Sequence, residues 1–240
     1  MSSNSPIVFK RHEIKYLLTD AQKTSILSAM ESYMVPDSFG CSTIRNIYYD
    51  TDNYRLVRRS LEKPIYKEKL RVRSYRTATP DDPVFIELKK KYASIVYKRR
   101  TDICEKDVAD YLARRKEAPI KCQITAEIDY FLQFYGTLAP KVFLSYEREA
   151  YFGKDNCDFR VTFDENILWR TTDLSLGAEV YGEKLLPPGK TLMEIKCQGA
   201  IPLWMVDVLT REEIRNTSFS KYGTAYIAMY TDEKGEAVYA

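Results

Sequence analysis

Between Lys67 and Asp102 the chain reads KEKLRVRSYRTATPDDPVFIELKKKYASIVYKRRTD, with charged residues recurring at alternate positions. Lys67, Lys69, Arg71 and Arg73 share one parity, and Leu70 and Val72 take the other. Further on, Phe85, Glu87, Lys89 and Lys91 alternate with Val84, Ile86 and Leu88, and a third run carries Lys98, Arg99 and Arg100. A strand sends successive side chains to opposite faces, so same-face neighbours stand roughly 6–7 Å apart and the first run is a row of four cations with an apolar back. Two readings are open. In one, the row is the wet face of a meander, made of ordinary solvated Lys and Arg. In the other, it is a basic surface turned inward onto a polyanion. The second accounts for the sparsity of acids, Glu68 standing alone between Lys67 and Arg76. Like charges facing each other across paired strands repel unless something neutralises them.

The same pattern recurs far along the chain. Lys15, Arg148, Arg160 and Lys196 lie on alternating segments, and Glu13, Glu87 and Glu194 are isolated carboxylates in similar settings. Phosphoryl transfer asks a protein mainly to position oxygens and neutralise charge. Arg offers a planar fork to phosphate oxygens, and Lys a mobile point charge. A lone carboxylate among cations suits Mg²⁺ or Mn²⁺, ions that share their ligands with phosphate and water.

The elements that would position these groups follow from periodicity. A first strand is expected over Ile7–Leu18, with Arg11, Glu13 and Lys15 on one face. Thr19-Asp20-Ala21-Gln22 reads as a capping box, opening a helix whose stripe is Ile26, Leu27, Met30, Tyr33 and Met34. Thr43–Tyr49 is a strand, a short helix carries Tyr54, Val57 and Arg58, and the basic segment supplies three strands joined by a Pro80–Pro83 turn and a tighter one at Tyr92-Ala93-Ser94. Helical spacing returns at Val108, Tyr111, Leu112 and Arg115, and again at Ile124, Ile128, Phe131, Leu132 and Tyr135. Strands follow at Val142–Phe152, Phe159–Ile167 and Leu192–Cys197. Residues 174–189 form a long loop, with room for an apolar hairpin. Helices close the chain around Trp204–Arg211 and Phe219–Tyr230. Strands in groups with helices between them, and no βαβ rhythm, predict an α+β domain around a large antiparallel sheet.

Bulk composition narrows the function. The chain has 240 residues, 45% of them hydrophobic, enough for one large core. Its net charge is only +3, so any strongly basic site must be local and offset elsewhere, and DNA is not expected as a partner. Cysteines 41, 104, 122, 157 and 197 are odd in number with no C-x-x-C pair, which predicts reduced thiols in a cytoplasmic protein. No secretory signal or membrane-spanning run is read. His12 is the only histidine, which leaves Ser- or Cys-dependent hydrolysis without a second candidate base. Gly189-Lys190-Thr191 imitates the end of a phosphate-binding P-loop, but position 184 is Lys where its first glycine belongs.

RHEIKY (11–16), EKLRVRSY (68–75), FIELKKK (85–91), VYKRR (96–100), LSYERE (144–149), FRVTFD (159–164), LMEIK (192–196) and SKYGTAY (220–226) stand in the order of the motifs of VTC domains. The chain resembles these polyphosphate polymerase domains, of the triphosphate tunnel metalloenzyme (CYTH-like) superfamily, over about residues 7–231. The resemblance implies a single domain over 1–240 folded as an antiparallel β-barrel tunnel with helices packed outside. It implies phosphate ligation by Lys15, Arg71, Arg73, Lys89, Lys98, Tyr146, Arg148, Arg160 and Lys221, with Lys196 in the same basic set, and a metal on Glu194 and Glu13. The implied reaction is a metal-dependent (Mn²⁺ or Mg²⁺) phosphotransfer from ATP to a growing polyphosphate chain, releasing ADP. The superfamily's first-strand E-x-E-x-K reads here Arg11-His12-Glu13-Ile14-Lys15, so one metal carboxylate is replaced by Arg. That weighs against a hydrolase more than against a polymerase, whose acceptor phosphate is already a nucleophile. The family's eukaryotic members also carry membrane segments that this chain lacks, which leaves a membrane partner open.

Two alternatives stay in view. One is a tripolyphosphatase or nucleoside triphosphatase on the same tunnel. The other is a non-catalytic polyanion or RNA-binding module, in which Tyr66, Tyr75, Tyr92 and Tyr97 would stack bases.

Overall fold

The computed structural model describes residues 12–93 and 95–231. In chain order the elements are β1 (His12–Thr19), α1 (Asp20–Met30), β2 (Met34–Pro36), β3 (Ser42–Asp50), α2 (Arg55–Leu61), β4 (Tyr66–Ser74), β5 (Pro83–Tyr92), β6 (Ile95–Cys104), α3 (Glu105–Leu112), α4 (Gln123–Tyr135), β7 (Ala139–Gly153), β8 (Arg160–Arg170), β9 (Glu183–Lys184), β10 (Lys190–Cys197), α5 (Leu203–Arg211), β11 (Asn216–Thr217) and α6 (Lys221–Ala228). All strands join one antiparallel sheet in the order β11-β1-β10-β8-β7-β3-β4-β5-β6, with β2 on β7 and β9 on β8. Among the described residues the sheet curls and its ladder does not close, with β11 and β6 as its two ends. Side chains join strands near these two ends: Lys89 of β5 meets Glu13 of β1 at 3.1 Å.

The alternation seen in the basic segment fixes which face is which. In register, Lys67 faces Lys91, Lys69 faces Lys89, Arg71 faces Glu87 and Arg73 faces Phe85, all on the concave side. The opposite parity, Leu70, Val72, Val84, Ile86 and Leu88, is fully buried beneath Ile128, Phe131 and Leu132 of α4 and Val108, Tyr111 and Leu112 of α3. Burying each such side chain stabilises the fold by about 1.5–3 kcal/mol, which holds the cationic parity facing inward. On the far side, α1 and α5 cover Tyr16, Leu18, Val161, Phe163, Met193 and Ile195. A third apolar cluster sets Tyr222 and Ala225 of α6 and Val57 of α2 against Ile44, Tyr48, Leu144 and Tyr146.

The capping box forms as expected: Gln22 N donates to Thr19 Oγ1 at 3.2 Å, and Thr19 N donates to Gln22 Oε1 at 3.0 Å. The helix behind it is shorter than its apolar stripe. It ends at Met30, Tyr33 is exposed and stacked on Trp204 at 4.6 Å, and Met34 enters β2 opposite Gly153. Pro36 supplies the reason, since the residue before a proline is pushed to extended backbone. Arg115 lies past the end of α3. Segment 174–189 is a loop as read, holding only the two-residue β9 and burying Leu176 and Leu185. Gly182, at φ +141°, approaches Trp169 O so closely that an added Cβ would sit 2.3 Å from it. The expected start of the first strand at Ile7, and Arg11 with it, lies outside the described residues.

Candidate functional site: a cationic lumen

The concave face encloses a cavity of about 1650 Å³, lined among the described residues by fourteen Lys and Arg side chains against three carboxylates, Glu13, Asp37 and Glu194. In a chain of net charge +3, this imbalance concentrates positive potential in one place, as a polyanion site requires. All twelve residues singled out above line it: Lys15, Arg71, Arg73, Lys89, Lys98, Tyr146, Arg148, Arg160, Lys196 and Lys221 with Glu13 and Glu194. Lys63, Lys67, Lys69, Lys91, Arg100 and Asp37 line it too and were not among the candidates. The signal for Lys67, Lys69, Lys91 and Arg100 was present, since they share parity with residues that were chosen. Arg99 has the other parity and pairs outside the lumen with Glu127 of α4 at 2.9 Å.

Two buried acids hold the cations without lining the cavity. Glu87, 1% exposed, contacts Arg71 through Nε at 2.8 Å and Nη2 at 2.7 Å, with Lys98 at 2.6 Å and Arg100 at 3.1 Å. Asp164, fully buried, takes a bidentate pair from Arg148 at 2.6 and 2.7 Å and a contact from Lys221 Nζ. Charge-assisted bonds of this length lock a guanidinium in place. Glu87 was expected as an isolated acid in the lumen; the register sets it opposite Arg71 and beneath the cations, which makes it a strut. Neutral groups complete the frame. Arg73 donates to Asn46 Oδ1 at 2.9 Å and Tyr146 Oη at 3.1 Å, and Arg71 donates to Tyr48 Oη at 3.1 Å.

Glu194 is held differently. Its carboxylate meets Lys15 and Lys221 at 3.4 Å, Lys196 at 3.3 Å and Arg148 at 3.7 Å. None reaches the 2.7–2.9 Å of a tight charge-assisted bond. Glu194 therefore sits in positive potential yet keeps loosely committed oxygens. Glu13 is similar, with Lys89 at 3.1 Å and Lys15 at 3.5 Å.

Electrostatics follow from this arrangement. Burial raises the carboxyl pKa of Glu194, but Lys221, Lys15, Lys196 and Arg148 outweigh it and hold the group well below the usual carboxylate range. The same contest lowers Glu13, through Lys89 and Lys15, and Glu87, through Arg71, Arg73 and Lys98. Tyr146 is pushed up by burial and pulled down further by Arg73, Arg148 and Lys221, ending at about 8. Burial, with Lys15, Lys89, Lys67 and Arg71 nearby, brings Lys69 down to about 7.

The donor set fits one style of divalent-metal site. Among the described residues no group of three or more His, Cys, Asp or Glu is placed to hold an ion, so an all-protein cage is not built. Mg²⁺-type ions instead use one or two carboxylates and complete their shell with substrate phosphate and water. Glu194 and Glu13, hard oxygen donors on paired strands, meet that description, whereas the locked oxygens of Asp164 and Glu87 do not. His12 is exposed and is not a lining residue. Of the tyrosines proposed for base stacking, Tyr75 and Tyr97 line the cavity. Tyr66 and Tyr92 do not, because their even positions in β4 and β5 put them on the opposite face.

A curled antiparallel sheet around a lumen of this charge defines a triphosphate-tunnel protein. The family model for the VTC domain matches residues 10–230, and the chain belongs to that family. Solved structures share the fold. One is a candidate adenylate cyclase from Bacillus halodurans, at 13% identity and a TM-score of 0.54, covering 88% of this chain and 95% of that one. Another is an adenylyl cyclase candidate from Hippeastrum described as having a dominant triphosphatase activity, at 14% identity and a TM-score of 0.54, covering 95% and 99%. At these identities the likeness is one of fold. No curated protein matches the chain.

Proposed function

We propose that this chain is a single-domain polyphosphate polymerase, transferring the γ-phosphoryl group of ATP to the end of a polyphosphate chain and releasing ADP. The observation that carries the reading is the set of fixed cations in the lumen: Arg71, Arg148 and Lys221 are held in place by the buried acids Glu87 and Asp164, while the lining carboxylates Glu13 and Glu194 are held far below the usual carboxylate range. A carboxylate so depressed is a poor base for activating water. A terminal phosphate needs none, because it already carries the attacking anionic oxygen.

Arg71, Arg73, Arg148 and Lys221, fixed by Glu87 and Asp164, would grip the equatorial oxygens, where charge accumulates in the loose transition state of phosphoryl transfer. Lys15, Lys89, Lys98, Lys196 and Arg160 would neutralise the flanking phosphates, and the Tyr146 hydroxyl would donate to a phosphate oxygen. The bond from the γ-phosphorus to the β–γ bridging oxygen breaks as a bond to the acceptor's terminal oxygen forms. Glu194 and Glu13 would hold Mn²⁺ or Mg²⁺, which would supply positive charge to offset that of the phosphates. No helix among the described residues is long and apolar enough to cross a membrane, and five free thiols accord with our placing of the protein in a reducing cytoplasm.

The test is product analysis. Pure protein with ATP and Mn²⁺ should yield ADP and chains resolvable on a polyacrylamide gel. Orthophosphate as the only phosphate product would identify a hydrolase on the same tunnel.

A further inference from the structure

Outside the lumen, α2 buries Leu56, Val57 and Ser60 against the body of the fold and leaves Arg55, Arg58 and Arg59 exposed. Spaced i, i+3 and i+4, the three arginines share one helical face. None of them lines the lumen, and none has a carboxylate partner among the described residues. Their neighbours are rings. Arg55 Cζ stands 5.9 Å from the Phe134 ring centroid and 5.4 Å from that of Tyr135, both on α4. Arg59 is close enough to Tyr66 and Tyr135 to act on their hydroxyls, and Arg58 to act on that of Tyr226 in α6. On both flanks of this row the surface is aromatic. Tyr130 and Phe134 of α4 are 67% and 55% exposed, and Tyr230, just past α6, is 40% exposed.

Helix stability does not account for this face. Arg58 and Arg59 stand in the last turn, where the macrodipole favours cations, but Arg55 opens the first turn, where it disfavours them. Tyr54, ahead of it, holds a left-handed φ of +55°, and its ring lies 5.2 Å from Tyr226 and 6.3 Å from Tyr230. The ring faces are spent on one another. Tyr130 stacks on Phe134 at 6.4 Å, Phe134 meets Tyr135 edge-on at 4.9 Å, and Tyr226 and Tyr230 are 5.1 Å apart. Nucleobases need free ring faces to stack on, whereas a bilayer surface takes up ring edges and tips at the level of its headgroups. Cations beside such rings are drawn to anionic lipid, and the guanidinium fork matches phosphodiester oxygens.

We infer that the outer face of α2, with Tyr130 and Phe134 on one flank and Tyr230 on the other, is a peripheral docking surface for an anionic lipid bilayer. The arginines meet headgroup phosphates, and the ring tips enter the boundary between headgroups and acyl chains. This surface is separate from the lumen and does not depend on the reaction carried out there. The full chain is mixed with vesicles of phosphatidylcholine alone, or of phosphatidylcholine with phosphatidylglycerol, and bound protein is separated by flotation over a range of KCl. Wild type should float with the charged vesicles only and be released as KCl rises. Each cation near an anionic surface is worth about fivefold in affinity, so Arg55→Gln/Arg58→Gln/Arg59→Gln should need roughly ten- to a hundredfold more lipid. Where that variant fails to fold, Arg58→Gln alone, at an exposed position, should lose about fivefold. Arg55→Lys/Arg58→Lys/Arg59→Lys, which keeps the charge, should still bind. Phe134→Trp should add a tryptophan emission that shifts to the blue on charged vesicles, measured against wild type. Failure of wild type to float, flotation undiminished by loss of the arginines, an emission at position 134 that does not move, or single-stranded RNA or polyglutamate bound as tightly as the vesicles through the same arginines would overturn the inference.

Discussion

Replacing Glu87 by Gln keeps the shape of the side chain and deletes one charge from beneath four cations. The carboxylate is 1% exposed, while the side chains of Arg71 and Arg73 are 19% and 6% exposed. Removing one partner of a buried ion pair costs about 3–5 kcal/mol. Lys98 and Arg100 reach lumen water, with side chains 42% and 34% exposed, so their share is screened and the expected loss is about 2–4 kcal/mol. For a domain of this size that lowers Tm by very roughly 5–15 °C. The pH dependence gives a second reading. Glu87 is depressed in the fold, so its contribution is fully present above the unfolded carboxyl pKa of about 4.3 and fades as pH falls from there towards the folded value. Urea unfolding of both proteins should therefore show a gap in midpoint at pH 7 that narrows below about pH 4. If tripolyphosphate binds the lumen as proposed, saturating it should supply counter-charge and restore much of the loss. A midpoint unchanged at pH 7, or a gap that persists undiminished at pH 3, would show that Glu87 does not anchor the cations.

Glu194→Ala should abolish turnover with either metal while polyphosphate affinity, measured by calorimetry, stays level or tightens, because a carboxylate leaves a phosphate groove; weakened binding would contradict its assignment to the metal. Arg71→Ala and Arg73→Ala should each lower kcat/KM by the value of a charge-assisted bond, about 1.5–3 kcal/mol or ten- to a hundredfold. Arg115→Ala, whose side chain is 75% exposed beyond α3, should leave kcat/KM within about twofold, and matching losses at all three sites would count against a specific lumen.

Period-two alternation is why the candidate site was legible in the sequence. In β4 and β5 the parity of Arg71, Arg73 and Lys89 against Val72, Ile86 and Leu88 states which side chains share a face, with no knowledge of the rest of the fold. The same rule, followed through, would have added Lys67, Lys69 and Lys91. What parity does not carry is which strands come together. Glu13 and Lys89, 76 residues apart, meet only because the whole sheet curls. Glu87 and Asp164 could not be told from Glu194, the carboxylate proposed for the metal, because the difference lies in bond lengths to partners on other strands. Short elements were hidden for a related reason: β2 and β11, of three and two residues, exist through pairing with distant neighbours and leave no periodic signal. The helix expected to continue through Met34 was misread because an apolar residue at helical spacing also serves a strand edge, and the choice fell to Pro36.

The open edges of the sheet among the described residues, β6 at one end and β11 beside β1 at the other, have a consequence of their own. Neighbouring strands are joined by backbone amides, which ignore salt, whereas β5 and β1 meet through an ammonium on a carboxylate, Lys89 to Glu13, a contact that ions in solution weaken. That contact should therefore weaken as ionic strength rises. If phosphate enters the lumen as proposed, it would compete with Glu13 for the Lys89 ammonium and free that side chain without breaking a strand.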